Sequence, residues 1–283
     1  MSTANFDKGS TEGYDRGLYV HEATAEPLHG LDAVNDEQIA RYGERGYLAV
    51  EQAIPDAMID EAKAALAALV AGRNEQFNGL LYEASAKGRE LAEMSEAERA
   101  DLIRKVAGFV NHDGRLKALA EHPPLIDVVE RLMGERSKLT QDMALLKPPR
   151  IGREKPWHQD HAYFNIPLDA RVVGVWIALD EATVENGCMF VLPGEHREPI
   201  VHFQRRDWQI CDTEMRGRKA TAVPLKPGGL LLFDSLLPHG TPANDSTNRR
   251  WALQYHYAPA AAPQIEVQQR LAVFGDEGKD VTC

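Results

Sequence analysis

The second half of this chain leaves it few folds to choose from. Short runs rich in β-branched, aliphatic and aromatic residues recur at 140–146, 172–179, 188–192, 220–224, 229–233 and 251–257. Turn formers separate them: Pro148-Pro149, Glu185-Asn186-Gly187, Pro193-Gly194, Pro227-Gly228-Gly229 and Asn244-Asp245-Ser246. Short strands broken this often by turns point to an antiparallel sandwich or barrel.

The first half reads differently. Asn35-Asp36-Glu37 offers a helix start, with Ile39 and Tyr42 along one side, and residues 47–50 make a short strand. Pro55-Asp56 opens a second helix, striped by Met58, Ile59, Ala62, Leu66, Leu69 and Val70 and ended by Gly72. Residues 74–94 are polar and poorly periodic, a loop or a lid. Ser95 and Glu98 form a capping box for a helix running to about residue 107. A further helix follows Pro123-Pro124 and closes at Gly134. The expectation is an α+β protein of one domain spanning 1–283. It comprises an extended arm (1–32), a mainly helical segment (33–136), a β core (137–260) and a C-terminal tail (261–283). With 283 residues, 43% of them hydrophobic, the chain can bury a core without disulfides or a structural metal.

Charge and composition exclude some partners. A formal net charge of -11 argues against nucleic acid. No run approaches the roughly 18 apolar residues of a membrane span, and the polar start lacks a signal-peptide core. The three cysteines, Cys188, Cys211 and Cys283, are sparse and odd in number, so they read as reduced thiols. A soluble cytoplasmic protein is the default.

Trp157-His158-Gln159-Asp160 carries the first chemical signal. In an extended chain, residues two apart share a face, so His158 and Asp160 can reach one metal while Gln159 turns away. Two imidazoles and one carboxylate on one face suit ferrous iron with positions left open. Alone, His-x-Asp is a weak pattern, equally that of a surface turn. A third ligand has four candidates, His196, His202, His239 and His256. His239 has the most suitable surroundings: it follows an apolar strand and precedes Gly240, where a ligand can approach. Arg250 opens the next strand, and counting by two places Arg250, Ala252, Gln254 and His256 on one face. An inward arginine needs an anion. That anion is either a carboxylate ligand gripped by the guanidinium or an internal acid such as Asp234 or Glu181.

The run from Gln141 to Tyr257 resembles the phytanoyl-CoA dioxygenase family. The matching text is Trp157-His158-Gln159-Asp160, Val175-Trp176, Glu185-Asn186-Gly187-Cys188, Leu192-Pro193-Gly194-Glu195-His196 and His239-Gly240 followed by Arg250. The resemblance implies a double-stranded β-helix, the jelly-roll of cupin-like proteins, and a dioxygenase using Fe(2+), 2-oxoglutarate and O2. By the same resemblance His158, Asp160 and His239 ligate iron, and Arg250 pairs with the distal carboxylate of 2-oxoglutarate. Trp176, Thr241 and Lys147 fall at positions beside that cosubstrate. Asp160 stands where the halogenase variant has Ala or Gly, which disfavours that chemistry.

The reaction implied is hydroxylation, or another oxidation, of an unactivated C–H bond of a small or medium metabolite, releasing succinate and CO2. Gln141, Met143, Tyr163, Phe164 and Trp208 are candidate substrate contacts. Two alternatives stand beside this: an acyl-CoA 2-hydroxylase, and a β-barrel sensor that binds metal or carboxylate without turnover.

Overall fold

A strand buried on both faces shows no polar–apolar alternation, and Leu230–Asp234 is such a strand, with all five residues buried. Its side chains still divide by parity. Leu230 and Leu232 join one apolar core, Leu231 and Phe233 another. The computed structural model, which describes residues 5–10 and 12–275, shows what the two cores are. One lies between the larger sheet and the helices. The other fills the space between two sheets.

Eight strands form the central part of those sheets: β1 Ser137–Lys147, β2 Lys155–His158, β3 Val173–Ala178, β4 Met189–Val191, β5 Ala220–Val223, β6 Leu230–Asp234, β7 His239–Thr241 and β8 Arg250–Pro259. The larger sheet carries the order β1-β8-β3-β6 and the smaller β5-β4-β7-β2, all antiparallel. The chain alternates between sheets at almost every step, which is the jelly-roll connectivity expected. On the larger sheet Val173, Val175, Ile177, Leu253, Tyr255 and Tyr257 point to the helices. The opposite parity, which includes Trp176 and Ala252, faces the barrel interior. Arg250, Gln254 and His256 share that parity.

The expectation of a mainly helical segment at 33–136 is corrected. Helices Asp36–Arg45, Asp56–Val70 and Pro123–Met133 form as read, the first capped by the Asn35 side chain. However, Tyr47–Glu51 extends the larger sheet beyond β6, and Ile103–Ala107 extends it beyond β1. Leu80–Tyr82, inside the expected loop, pairs with Ile103–Ala107. The Ser95–Glu98 capping box is present, but its helix stops at Ala100. A cap fixes where a helix starts; how far it runs is set here by Ile103 and Val106, both fully buried in the core on the larger sheet.

The described part of the arm also joins the sheets. Asn5–Phe6 runs parallel to Leu81–Tyr82, and His21–Thr24 runs parallel to β5. Asp7 ion-pairs with Arg104 at 2.9 Å and with Arg153. At the other end, the tail contains the helix Val267–Phe274, whose Phe274 packs with Ala162 and Trp208. Cys188 is a free buried thiol, whereas Cys211 is disulfide-bonded, against the reading of reduced thiols; a sparse count does not tell which sulfurs meet. Cys283 lies outside the described residues. Among the described residues no helix is long and apolar enough to cross a membrane.

Gly174 on β3 tests the interior packing. A Cβ there would lie 2.4–2.7 Å from the Phe233 ring, which itself packs edge-on against His239 at 4.8 Å. Gly174→Ala is expected to cost roughly 1–3 kcal/mol, as overpacking does. The check is a lower denaturant midpoint at unchanged m-value.

Candidate metal centre and cavity

His158 ends β2, and Asp160 begins the short 3-10 turn Asp160–Tyr163. Gln159 between them is extended, so the two side chains share a face. His239 opens β7 and lies directly across from His158 in the register, with the imidazole centroids 4.2 Å apart. One ligand atom from each of His158, Asp160 and His239 falls within 4.8 Å of the others, and all three residues are buried. Each imidazole is held from behind. His158 Nδ1 sits 2.8 Å from the Pro156 carbonyl oxygen and His239 Nδ1 2.9 Å from that of Leu237. A carbonyl only accepts, so both Nδ1 atoms carry the proton and both Nε2 atoms turn lone pairs inward.

Burial, followed by the His239 imidazole beside it, pushes His158 down to about 3. Burial lowers His239 as well. Asp160 is raised by burial, but the neighbouring His239 and His256 outweigh this and hold it well below the usual carboxylate range. Two neutral imidazoles and one carboxylate at neutral pH are the protonation states a divalent metal requires.

The remaining histidines separate cleanly. His196 packs beside Gly46, and His202 Nε2 accepts from the Gln159 amide at 3.0 Å. His161 is taken by the Ser235 hydroxyl and the Ile166 carbonyl. His256 reaches the centre, but as a partner of the carboxylate. Its Nε2 lies 2.7 Å from Asp160 Oδ2, which also accepts from Gln254 Nε2 at 3.0 Å. With Oδ2 so engaged, Oδ1 is the oxygen left facing His158 Nε2, at 3.2 Å. These two residues were missed as site residues, although their parity with Arg250 was the signal. His256→Phe is expected to weaken ferrous iron binding about 10- to 100-fold, the usual loss when an outer partner of a metal ligand is removed. Competition with a chromogenic chelator would measure it.

A cavity of about 210 Å³ opens beside the three ligands. Of the residues singled out by sequence, Gln141, Met143, Tyr163, Phe164, Lys147, Thr241 and Arg250 line it together with His158, Asp160 and His239. Trp176 and Trp208 do not. Trp176 stands behind Arg250, whose guanidinium lies 5.3 Å over its ring. Trp208 backs Tyr163, the rings 5.2 Å apart and its carbonyl oxygen accepting from the Tyr163 hydroxyl at 2.6 Å. Both tryptophans are fixed one layer out because tyrosine or arginine intervenes.

Arg250 is buried, and burial pushes it down to about 10. Its polar contact is a long one, 3.5 Å from Nη1 to the Leu145 carbonyl oxygen, and Nε has no hydrogen-bond partner among the described residues. Among the described residues no carboxylate forms an ion pair with it. Asp234 pairs with Arg171 instead, at 3.7 Å. Asp180 is taken by Lys63 and Arg249, at 3.0 and 3.2 Å. Lys147, across from Arg250 in the register, donates to the Thr241 and Pro242 carbonyl oxygens. Burial, then Arg250, carries its pKa well below the ordinary lysine value.

The chain was compared with known proteins. A family model described as phytanoyl-CoA dioxygenase matches residues 42–252. The peroxisomal phytanoyl-CoA dioxygenase of Homo sapiens is 28% identical over 250 residues, covering 82% of this chain and 70% of that protein. Among solved structures, a non-heme alpha ketoglutarate dependent carbocyclase, SnoK from nogalamycin biosynthesis, superposes with TM-score 0.65 at 23% identity, over 85% of this chain and 90% of that one. EctD from S. alaskensis, solved with 2-oxoglutarate and 5-hydroxyectoine, gives TM-score 0.64 at 21% identity, over 95% and 86%. At these identities the two structures establish the shared fold.

Proposed function

The chain belongs to the phytanoyl-CoA dioxygenase family, and on that premise we propose that it is an iron- and 2-oxoglutarate-dependent dioxygenase hydroxylating a C–H bond of a small organic metabolite. The observation that carries this reading is Arg250: a buried guanidinium without an acid, in the same cavity as a two-histidine, one-carboxylate cluster. An uncompensated buried charge is costly, and the carboxylate of a bound diacid removes that cost.

In this reading His158, Asp160 and His239 would hold ferrous iron through their two imidazoles and the carboxylate. His256 and Gln254 fix the Asp160 carboxylate so that one oxygen faces the metal. Arg250 grips the distal carboxylate of 2-oxoglutarate, with Thr241 and Lys147 on the adjoining wall. When bound, iron with 2-oxoglutarate and O2 supplies the oxidising chemistry and releases succinate and CO2. The apolar wall of Met143, Leu145 and Phe164 keeps water from the substrate carbon. Both sheets draw strands from before residue 136, which supports one oxygenase domain.

The size of the cavity favours a small metabolite over an acyl-CoA, since ligand pockets for drug-sized molecules run from about 300 Å³ upward. The test mixes protein, Fe(II) and 2-oxoglutarate without air. A weak visible charge-transfer band should form, and adding air should yield succinate. Absence of both would end the oxygenase reading.

A further inference from the structure

The cavity wall is lopsided in charge. Arg104, Lys105, Lys147, Arg153, Lys155 and Arg250 line it, against Asp160 as the one wall acid. Most of these cations are already satisfied. Arg104 and Arg153 share Asp7, Lys155 holds Asp207 at 2.9 Å, and Lys147 donates to backbone carbonyls. Three are without an ion-paired acid among the described residues: Lys147, whose ammonium is taken up by those carbonyls, Arg250, and Lys105, which Asp207 and Asp7 influence without pairing with it. Among the described residues no side-chain hydrogen bond or ion pair of Lys105 is found.

Lys105 has a defined place. It sits on Ile103–Ala107 opposite Leu145 of β1, in the same row as Gln141, Met143 and Leu145, which alternate along the cavity face. Arg250 pairs with Lys147, the next residue of that row after Leu145, on the other flank of β1. The metal ligands lie on the facing sheet and the turn that follows β2. Across the mouth stand Lys155 and the partly exposed Tyr163, joined by a 3.0 Å hydrogen bond. Lys105 and Arg250 therefore flank β1 from its two sides, and Met143 and Leu145 give the wall they border an apolar surface.

We propose that the primary substrate is a small monocarboxylic acid, its carboxylate held by Lys105 and its carbon chain laid along Met143, Leu145 and Phe164 toward the metal. The proposal rests on the oxygenase reading, which assigns Arg250 to 2-oxoglutarate and leaves Lys105 for the second ligand. One unpaired ammonium matches one negative charge; a phosphate dianion would find no second free cation there. Burial, then the Lys155 and Arg104 charges, brings Lys105 down to about 8, with Asp207 and Asp7 acting the other way. The subsite thus holds its charge below that pH and loses it above.

The experiment uses octanoate and phenylacetate, with their methyl esters as uncharged controls. In the wild-type protein loaded with Fe(II) and 2-oxoglutarate, the acids should stimulate succinate formation and raise the melting temperature with concentration, and the esters should do neither. Lys105→Met should raise the half-saturating acid concentration about 10- to 100-fold and abolish the acid-induced thermal shift. Its visible band and KM for 2-oxoglutarate should stay unchanged. Lys105→Arg should restore binding and remove the weakening of acid affinity seen in wild type above pH about 8. Esters acting as well as acids, no response to either acid, or Lys105→Met changing only the 2-oxoglutarate KM would each overturn the proposal. A wild type without the band fails the oxygenase reading instead, and that result is visible before any acid is added.

Discussion

An Asp160→Ala variant will bind ferrous iron too weakly to show the visible band with 2-oxoglutarate, and its succinate output will fall more than ~100-fold. The scale follows from chemistry: outer partners of metal ligands already cost 10- to 100-fold when lost, and Asp160 is the one anionic ligand of the cluster. Removing it leaves two neutral imidazoles facing a dication. The same change strands two buried donors, His256 Nε2 and Gln254 Nε2, which now share Asp160 Oδ2. Each unsatisfied buried donor costs about 1–3 kcal/mol, so the metal-free variant should also melt earlier. His158→Ala separates the two effects. It deletes a ligand without stranding a hydrogen-bond donor of the protein, since His158 Nδ1 contacts a carbonyl, so it should lose the band with a smaller stability loss. Iron binding by Asp160→Ala at wild-type affinity would remove the cluster from consideration as the metal centre.

How much of this was legible in the sequence depends on the range of the interaction. His158 and Asp160 came from a two-residue spacing, and an extended Gln159 preserves that spacing in the fold. The face shared by Arg250, Gln254 and His256 came from strand parity, and β8 keeps it over ten residues. His239 was favoured by its neighbours, but what brings it to His158 is the β2–β7 pairing across some eighty residues of chain, which periodicity does not encode. The same limit hid the N-terminal strands. Leu80–Tyr82 is three residues long and Asn5–Phe6 two, too short to show a period, and each exists because a distant strand offers its edge. Trp176 and Trp208 stand one layer out from the cavity. The strand of Trp176 was expected and that of Trp208 was not, and only packing shows that Arg250 and Tyr163 stand in front of them.

Arg250→Met should separate stability from function in opposite directions. In the ligand-free protein the guanidinium is buried with no acid of the described residues against it, a condition that weakens the folded state. Methionine fills similar space without a charge, so the metal-free, 2-oxoglutarate-free variant should melt at the same temperature or higher, as when buried charges are replaced by apolar groups. Affinity for 2-oxoglutarate should move the other way. Deleting one side of a buried charge pair costs about 2–5 kcal/mol, so the half-saturating 2-oxoglutarate concentration should rise roughly 30-fold or more. The thermal shift given by 2-oxoglutarate should vanish. Arg250→Lys should recover only part of the loss, because an ammonium cannot reproduce the two-pronged grip of the guanidinium on a carboxylate. A structural role for Arg250 predicts the reverse pattern: early melting of Arg250→Met and an unchanged response to 2-oxoglutarate. Melting curves with and without 2-oxoglutarate therefore decide between the two, and they need no knowledge of the primary substrate.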